Sequence, residues 1–167
     1  MPWITFVSLS KPTPVITSLP ASVKALLEEL SSALTQYVPV QGSPLILFGG
    51  SDNPALSDFI PLSALLLEYP VAYVPDAESL TASGFLGGVD LQVYSCTLIW
   101  RTENKTSCNI TATHTFMQFS CPSSLTQQLR NLTDRLRERF SSRIAETRLD
   151  WKLQVTSRTE CLERVAL

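Results

Sequence analysis

The sequence predicts an α/β fold: a single domain over residues 1–167, built on a mixed sheet. Three observations predict it. Through the first half of the chain, short β-forming runs alternate with segments of helical period, the pattern of a partly parallel sheet. From Val89 the apolar period changes to two, as in a long hairpin. From Leu125 apolar residues recur every three or four positions, the stripe of an amphipathic helix of about five turns.

Residues 3–9, with Trp3, Ile4, Phe6, Val7 and Leu9, form the first predicted strand. Lys11-Pro12-Thr13-Pro14 breaks it. Pro20 suits a first helical turn, and Val23, Leu26, Leu27, Leu30, Leu34 and Tyr37 follow at helical spacing, ending before Pro39. Pro44-Leu45-Ile46-Leu47-Phe48 reads as a central strand buried on both faces. Ile60-Pro61 opens a short helix holding Leu62, Leu65, Leu66 and Tyr69. Pro70 closes it, and Val71–Val74 forms the next strand. Residues 76–83 fit a helical turn. The chain therefore begins β-α-β-α-β.

In the hairpin, Val89, Leu91 and Val93 share one face, and Cys96, Leu98 and Trp100 share the opposite phase. This slip predicts a β-bulge near Tyr94-Ser95. Glu103-Asn104-Lys105-Thr106 is the turn, and residues 108–120 return with Ile110, Ala112, His114 and Phe116 alternating. Ser124 and Gln127 fit a capping box for the long helix, whose stripe is Leu125, Leu129, Leu132, Leu136, Phe140 and Ile144. Trp151, Leu153 and Val155 alternate as a C-terminal strand.

Composition narrows the functional classes. The apolar fraction is 44% and the charged fraction 17%, which argues against disorder and leaves room for an apolar interaction patch. The net charge of −2 hides a division. Residues 1–95 hold two basic residues against eight acids, a net of −6, whereas residues 96–167 hold eleven against seven, a net of +4. No apolar run approaches the roughly 18 residues of a membrane span, and the start of the chain lacks the pattern of a signal peptide. An intracellular protein of the cytoplasm or nucleus, with no membrane association, is expected. Cys96, Cys108, Cys121 and Cys161 are widely spaced without a C-x-x-C, so reduced, buried thiols are expected rather than a disulfide framework or a zinc site. The sequons at Asn104, Asn109 and Asn131 are then chance matches, and Asn131 falls inside the predicted helix.

Two places carry candidate chemistry. Gly49-Gly50-Ser51-Asp52 follows an apparent buried strand, where open α/β sheets bind ligands, and its glycines would admit a phosphate. It matches no phosphate-loop, dinucleotide or nucleophile-elbow motif, and an ordinary turn explains it as well. Asp52, Asp58, Asp76 and Asp90 fall in predicted loops, where acids are commonly just solvated, and His114 is the lone histidine. No catalytic residue, metal ligand or cofactor is assigned. The second place is the long helix, with Arg130, Arg135, Arg137, Arg139 and Arg143 against Asp134, Glu138 and Glu146. Arg130–Asp134 and Arg135–Glu138 have the spacing of helical ion pairs. A solvated, ion-paired helix explains this charge run as well; the functional alternative is that Arg130, Arg137 and Arg148, which fall together on a helical wheel, bind an acidic partner or nucleic-acid phosphates. Without interleaved aromatics, a protein fits that role better than single-stranded nucleic acid.

Leu65-Leu66-Leu67-Glu68-Tyr69-Pro70-Val71-Ala72-Tyr73, the hairpin from Val89 to Trp100 and the segment Val155 to Leu167 together resemble the C-terminal part of an uncharacterised eukaryotic family. Its human member is an open reading frame of chromosome 1. The resemblance covers about 100 residues, contains no catalytic motif and transfers no functional residue. It implies a eukaryotic, intracellular origin. The expected function is a non-catalytic protein-interaction or scaffolding subunit of an intracellular complex. The alternative is a small enzyme or nucleotide- or phosphate-binding domain using Gly49–Asp52.

Overall fold

A computed structural model describes residues 3–9, 13–36, 55–76, 86–103 and 109–161. The strand expected at 44–48, the Gly49–Asp52 loop, most of the helical turn at 76–83 and most of the hairpin turn lie outside the described residues. The fold is α/β, and its strands fall into two three-stranded sheets. The chain divides into two compact units, Met1–Phe85 and Leu86–Leu167.

In the first unit, β1 (Thr5–Ser8) is central. It pairs parallel with β3 (Val71–Val74) and antiparallel with β2 (Val15–Thr17), so this sheet is mixed. Strand β2 leaves no signal in the hydrophobic pattern of the sequence. Three residues are too few to show a period, and prolines precede them. Val71, Ala72 and Tyr73 are all buried, as a strand paired in parallel and covered by helices requires. Helix α1 (Ala21–Gln36) starts one residue after Pro20, whose carbonyl accepts the Lys24 amide at 3.0 Å. Val23 is its fully buried anchor.

Helix α2 (Leu56–Leu66) begins four residues before the expected Ile60-Pro61 start and carries Pro61 inside. Pro61 forgoes one helical hydrogen bond, and it is fully buried beside Leu62. The end of α2 is a Schellman arrangement. Glu68 adopts the left-handed conformation with φ 57°, its amide bonds to Leu65 O at 3.1 Å, and the Tyr69 amide bonds to Ala64 O at 2.8 Å. The Glu68 carbonyl accepts the Trp3 indole N–H at 3.0 Å, which ties the helix end to the start of β1.

The second unit is an antiparallel sheet in the order β5-β4-β6, formed by β4 (Asp90–Glu103), β5 (Asn109–Pro122) and β6 (Lys152–Cys161). The strand expected around Trp151–Val155 thus runs on to Cys161. The bulge is present but displaced. Cys96 pairs with Met117 and Thr97 with Thr115, so Phe116 of β5 is the extra residue. β4 itself runs in unbroken register with β6 from Asp90↔Cys161 to Ile99↔Lys152. The phase change seen in the sequence therefore arises because β4 buries residues on both faces, Leu91 and Val93 on one and Tyr94 and Cys96 on the other. The Tyr94 and Phe119 rings stack at 5.1 Å across the β4–β5 pair.

The long helix also differs from expectation. Ser123–Leu125 forms a 3-10 turn, closed by the Thr126 hydroxyl donating to Ser123 O at 2.7 Å. Ser124 lies inside this turn, and the N-cap of the helix that follows is Asn131, so the expected capping box of Ser124 and Gln127 does not stand at the start of the helix. Asn131 then adopts a left-handed conformation, φ 63°, and helix α3 (Leu132–Glu146) begins after it. The apolar stripe survives the break. Leu129 N bonds Leu125 O at 3.1 Å, which preserves helical spacing locally. Leu125, Leu129, Leu132, Leu136 and Phe140 are all buried.

Candidate functional site at helix α3

Buried positions i, i+4 and i+8 of α3 (Leu132, Leu136 and Phe140) face the core; Asp134, Arg137, Glu138, Arg143 and Glu146 are exposed, whereas Arg135 and Arg139 are half-buried. Asp134 lies in the first turn and Arg143 in the last, each at the end where the helix dipole favours its charge. Asp134 accepts from Arg137 Nη1 at 2.9 Å. Both side chains are more than half exposed, so the pair stabilises by at most about 1 kcal/mol.

All three candidate arginines are exposed, but they do not lie on one helical face. Arg130 precedes the left-handed break and donates from Nε to Gln127 O at 3.2 Å. The expected i,i+4 geometry of Arg130 and Asp134 is therefore lost, and Asp134 meets Arg137 instead. Arg148 follows the C-cap Thr147 in a left-handed conformation, φ 57°, its amide bonded to Ala145 O at 3.3 Å. The fifteen residues of α3 separate Arg130 from Arg148, a length of about 22 Å. Only an extended surface reaches both ends.

A feature missed in the sequence sits beside this surface. Between the C-terminal half of α3 and the sheet lies a shallow cleft of about 150 Å³, lined by Leu98, Phe116, Phe140, Ile144 and Trp151. Arg143 and Thr147 complete its wall. The bulge explains part of the lining, because the extra residue Phe116 meets Phe140 edge-on, with ring centroids 5.1 Å apart. The Arg143 guanidinium stands 5.8 Å from the Phe140 ring centre. Trp151 pairs with Trp100 at 6.0 Å, and both indoles are partly exposed. The signal available in the sequence was a tryptophan opening a strand directly after an amphipathic helix. Its meaning depended on a bulge position that the pattern misplaced.

Of the acids expected in loops, two lie in regular elements, and Asp76 follows β3 outside any helix or strand, as expected. Asp58 lies in the first turn of α2 and accepts the Ser22 hydroxyl at 2.7 Å, and Asp90 opens β4. Asp76 is described and exposed, and Asp52 lies outside the described residues. His114 is exposed in β5, opposite Leu98. Asn131 stands at the helix N-cap rather than within the helix. Among the described residues, no group of three or more His, Cys, Asp or Glu is placed to hold a metal ion. No described helix is long and apolar enough to cross a membrane.

Cys96, Cys121 and Cys161 are free thiols. Burial raises Cys96 from 9.0 to about 11 and Cys121 from 9.0 to about 12. Cys161, at the exposed edge of β6, is raised by desolvation and by its hydrogen bond to, and the negative charge of, Asp90. All three therefore favour the protonated, unreactive form.

Residues 4–167 match the model of a domain of unknown function, DUF4504. The chain belongs to the DUF4504 family. The match runs through both units of this DUF4504 protein, α3 and the cleft included. No curated protein and no solved structure matches the chain.

Proposed function

We propose that this DUF4504 protein is a non-catalytic interaction subunit of an intracellular complex and binds an acidic protein partner along the α3 side of the Leu86–Leu167 unit. One observation carries the reading: exposed arginines flank and punctuate α3 next to an apolar cleft edged by tryptophan. Arginine and tryptophan are the side chains most often found as binding hot spots. The separation of Arg130 from Arg148 fits a macromolecular partner rather than a small anion. The free thiols accord with a reducing compartment, the cytoplasm or nucleus. The proposal includes the finer kinship with the eukaryotic family that has a human chromosome 1 member, and the action of residues 1–167 as one functional domain.

The test is the double charge reversal Arg130→Glu with Arg137→Glu. Neither side chain belongs to the buried stripe. Reversal at 137 sets two like charges beside one another with Asp134, which costs a few tenths of a kcal/mol. A circular dichroism melt should therefore stay close to that of the parent. Affinity for the partner captured from native extract should fall at least about tenfold, and parent binding should weaken as salt rises. A folded variant that keeps the parent affinity would refute this surface as the interface.

A further inference from the structure

We infer that the outer edge of β5 is a self-association surface, on which a second copy of this chain pairs its own β5 antiparallel about a two-fold axis beside Thr113. The dimer goes beyond the α3 reading and does not depend on it.

β5 lies at one edge of the β5-β4-β6 sheet, so alternate backbone N–H and C=O groups point away from β4. Among the described residues, no other strand pairs with that side, and no turn or loop backbone bonds to it. Edges of this kind are normally guarded by charge, proline, a bulge or a covering element. The opposite edge, β6, carries Lys152, Arg158 and Glu160, and α3 packs against that strand. β5 lacks the charge: residues 111–121 hold no Asp, Glu, Lys or Arg. Its guards, the bulge at Phe116 and the proline at 122, lie toward its C-terminal end. Residues 111–115 precede them, in unbroken register with β4 from Arg101↔Thr111 to Thr97↔Thr115.

This stretch complements itself. Thr111, Thr113 and Thr115 are exposed and share one face by alternation. The Thr115 and Thr97 hydroxyls already share a hydrogen bond of 2.9 Å across the β4–β5 pair. An axis beside Thr113 sets Thr113 against its counterpart and Thr111 against Thr115 of the second copy. That face then repeats threonine pairs, which are among the favourable cross-strand contacts. On the other face Ala112 meets His114 of the second copy. No acid, lysine or arginine of one strand opposes a like charge of the other, and the pairing ends before the bulge. The same lack of charge gives the edge nothing with which to select an acidic or basic peptide, whereas a two-fold pairing closes at two copies. Five paired residues span about 17 Å, a small contact, so the dimer is weak, with a dissociation constant between about 10 μM and 1 mM.

The test is sedimentation of the full chain over about 10 μM to 1 mM, with amide hydrogen exchange at both ends of that range. The expected result is a monomer–dimer equilibrium and slower exchange within residues 111–115 at the higher concentration. Thr113→Lys and Thr113→Glu change an exposed side chain, so each variant keeps the fold in a circular dichroism melt. Each alone places like charges face to face at the axis and should weaken the dimer at least about tenfold. Their equimolar mixture places opposite charges there and should recover association to within about threefold of the parent, a recovery that a damaged fold would not show. A parent that stays monomeric to about 1 mM overturns the proposal. So does a dimer that is unchanged in both variants, a mixture that fails to associate, or slowed exchange in β6 in place of β5. Slowed exchange at 111–115 that appears only on adding the partner captured from native extract overturns it as well, and gives the edge to a strand of that partner.

Discussion

At the scale of single residues, Asn131 decides where the long helix begins. It holds φ 63° without a side-chain cap, and its carbonyl accepts the Arg135 amide at 2.9 Å. Asparagine tolerates the left-handed region better than residues with ordinary side chains, and glycine tolerates it best. Asn131→Ala should therefore cost about 1 kcal/mol in a urea melt, whereas Asn131→Gly should stay within a few tenths. Equal losses for both would mean that the side chain, rather than the backbone angle, matters. The cysteines set the response to pH. The unfolded chain releases its thiol protons near 9, while the folded chain holds those of Cys96 and Cys121 to about 11 and about 12. Above pH 9 the unfolded state thus binds fewer protons than the folded state, so stability falls as pH rises. Denaturant midpoints at pH 8, 9.5 and 10.5 should decline in that order. Thiol titration of the unfolded, unreduced protein should find all four cysteines free.

At the scale of elements, the legibility of the sequence followed the length of each pattern. The leucine stripe of α3 spans several turns, and Leu132 and Leu136 are 3% and 0% exposed. Leu132→Ala and Leu136→Ala should each cost roughly 2–5 kcal/mol by leaving a cavity. A loss under about 1 kcal/mol in denaturant melts would show that the stripe does not belong to the core. The parallel strand β3 was legible for a related reason, as an unbroken apolar run bounded by prolines. The capping box was not reliable, because the hydroxyl that closes the first turn is that of Thr126, and the left-handed Asn131 leaves no mark in the hydrophobic pattern. The bulge betrayed itself only as a change of phase. That signal cannot distinguish an extra residue in one strand from a strand buried on both faces, and here both occur on opposite sides of the same hairpin. The cleft was illegible for the same reason, since Phe116 reaches Phe140 only through the bulge.

At the scale of the whole molecule, the charge division read from the sequence coincides with the two units. Met1–Phe85 carries two basic residues against seven acids, a net of −5, and Leu86–Leu167 carries eleven against eight, a net of +3. The basic excess thus belongs to the unit that also holds α3 and the cleft. An acidic partner should be steered toward this unit, with an association rate that falls as ionic strength rises. The measurement that tests this account most directly is amide hydrogen exchange on the full chain, alone and bound to the partner captured from native extract. Binding should slow exchange in a continuous footprint over residues 130–151 and in the β5 segment around Phe116. A footprint confined to Met1–Phe85, with residues 130–151 exchanging as in the free chain, would contradict it.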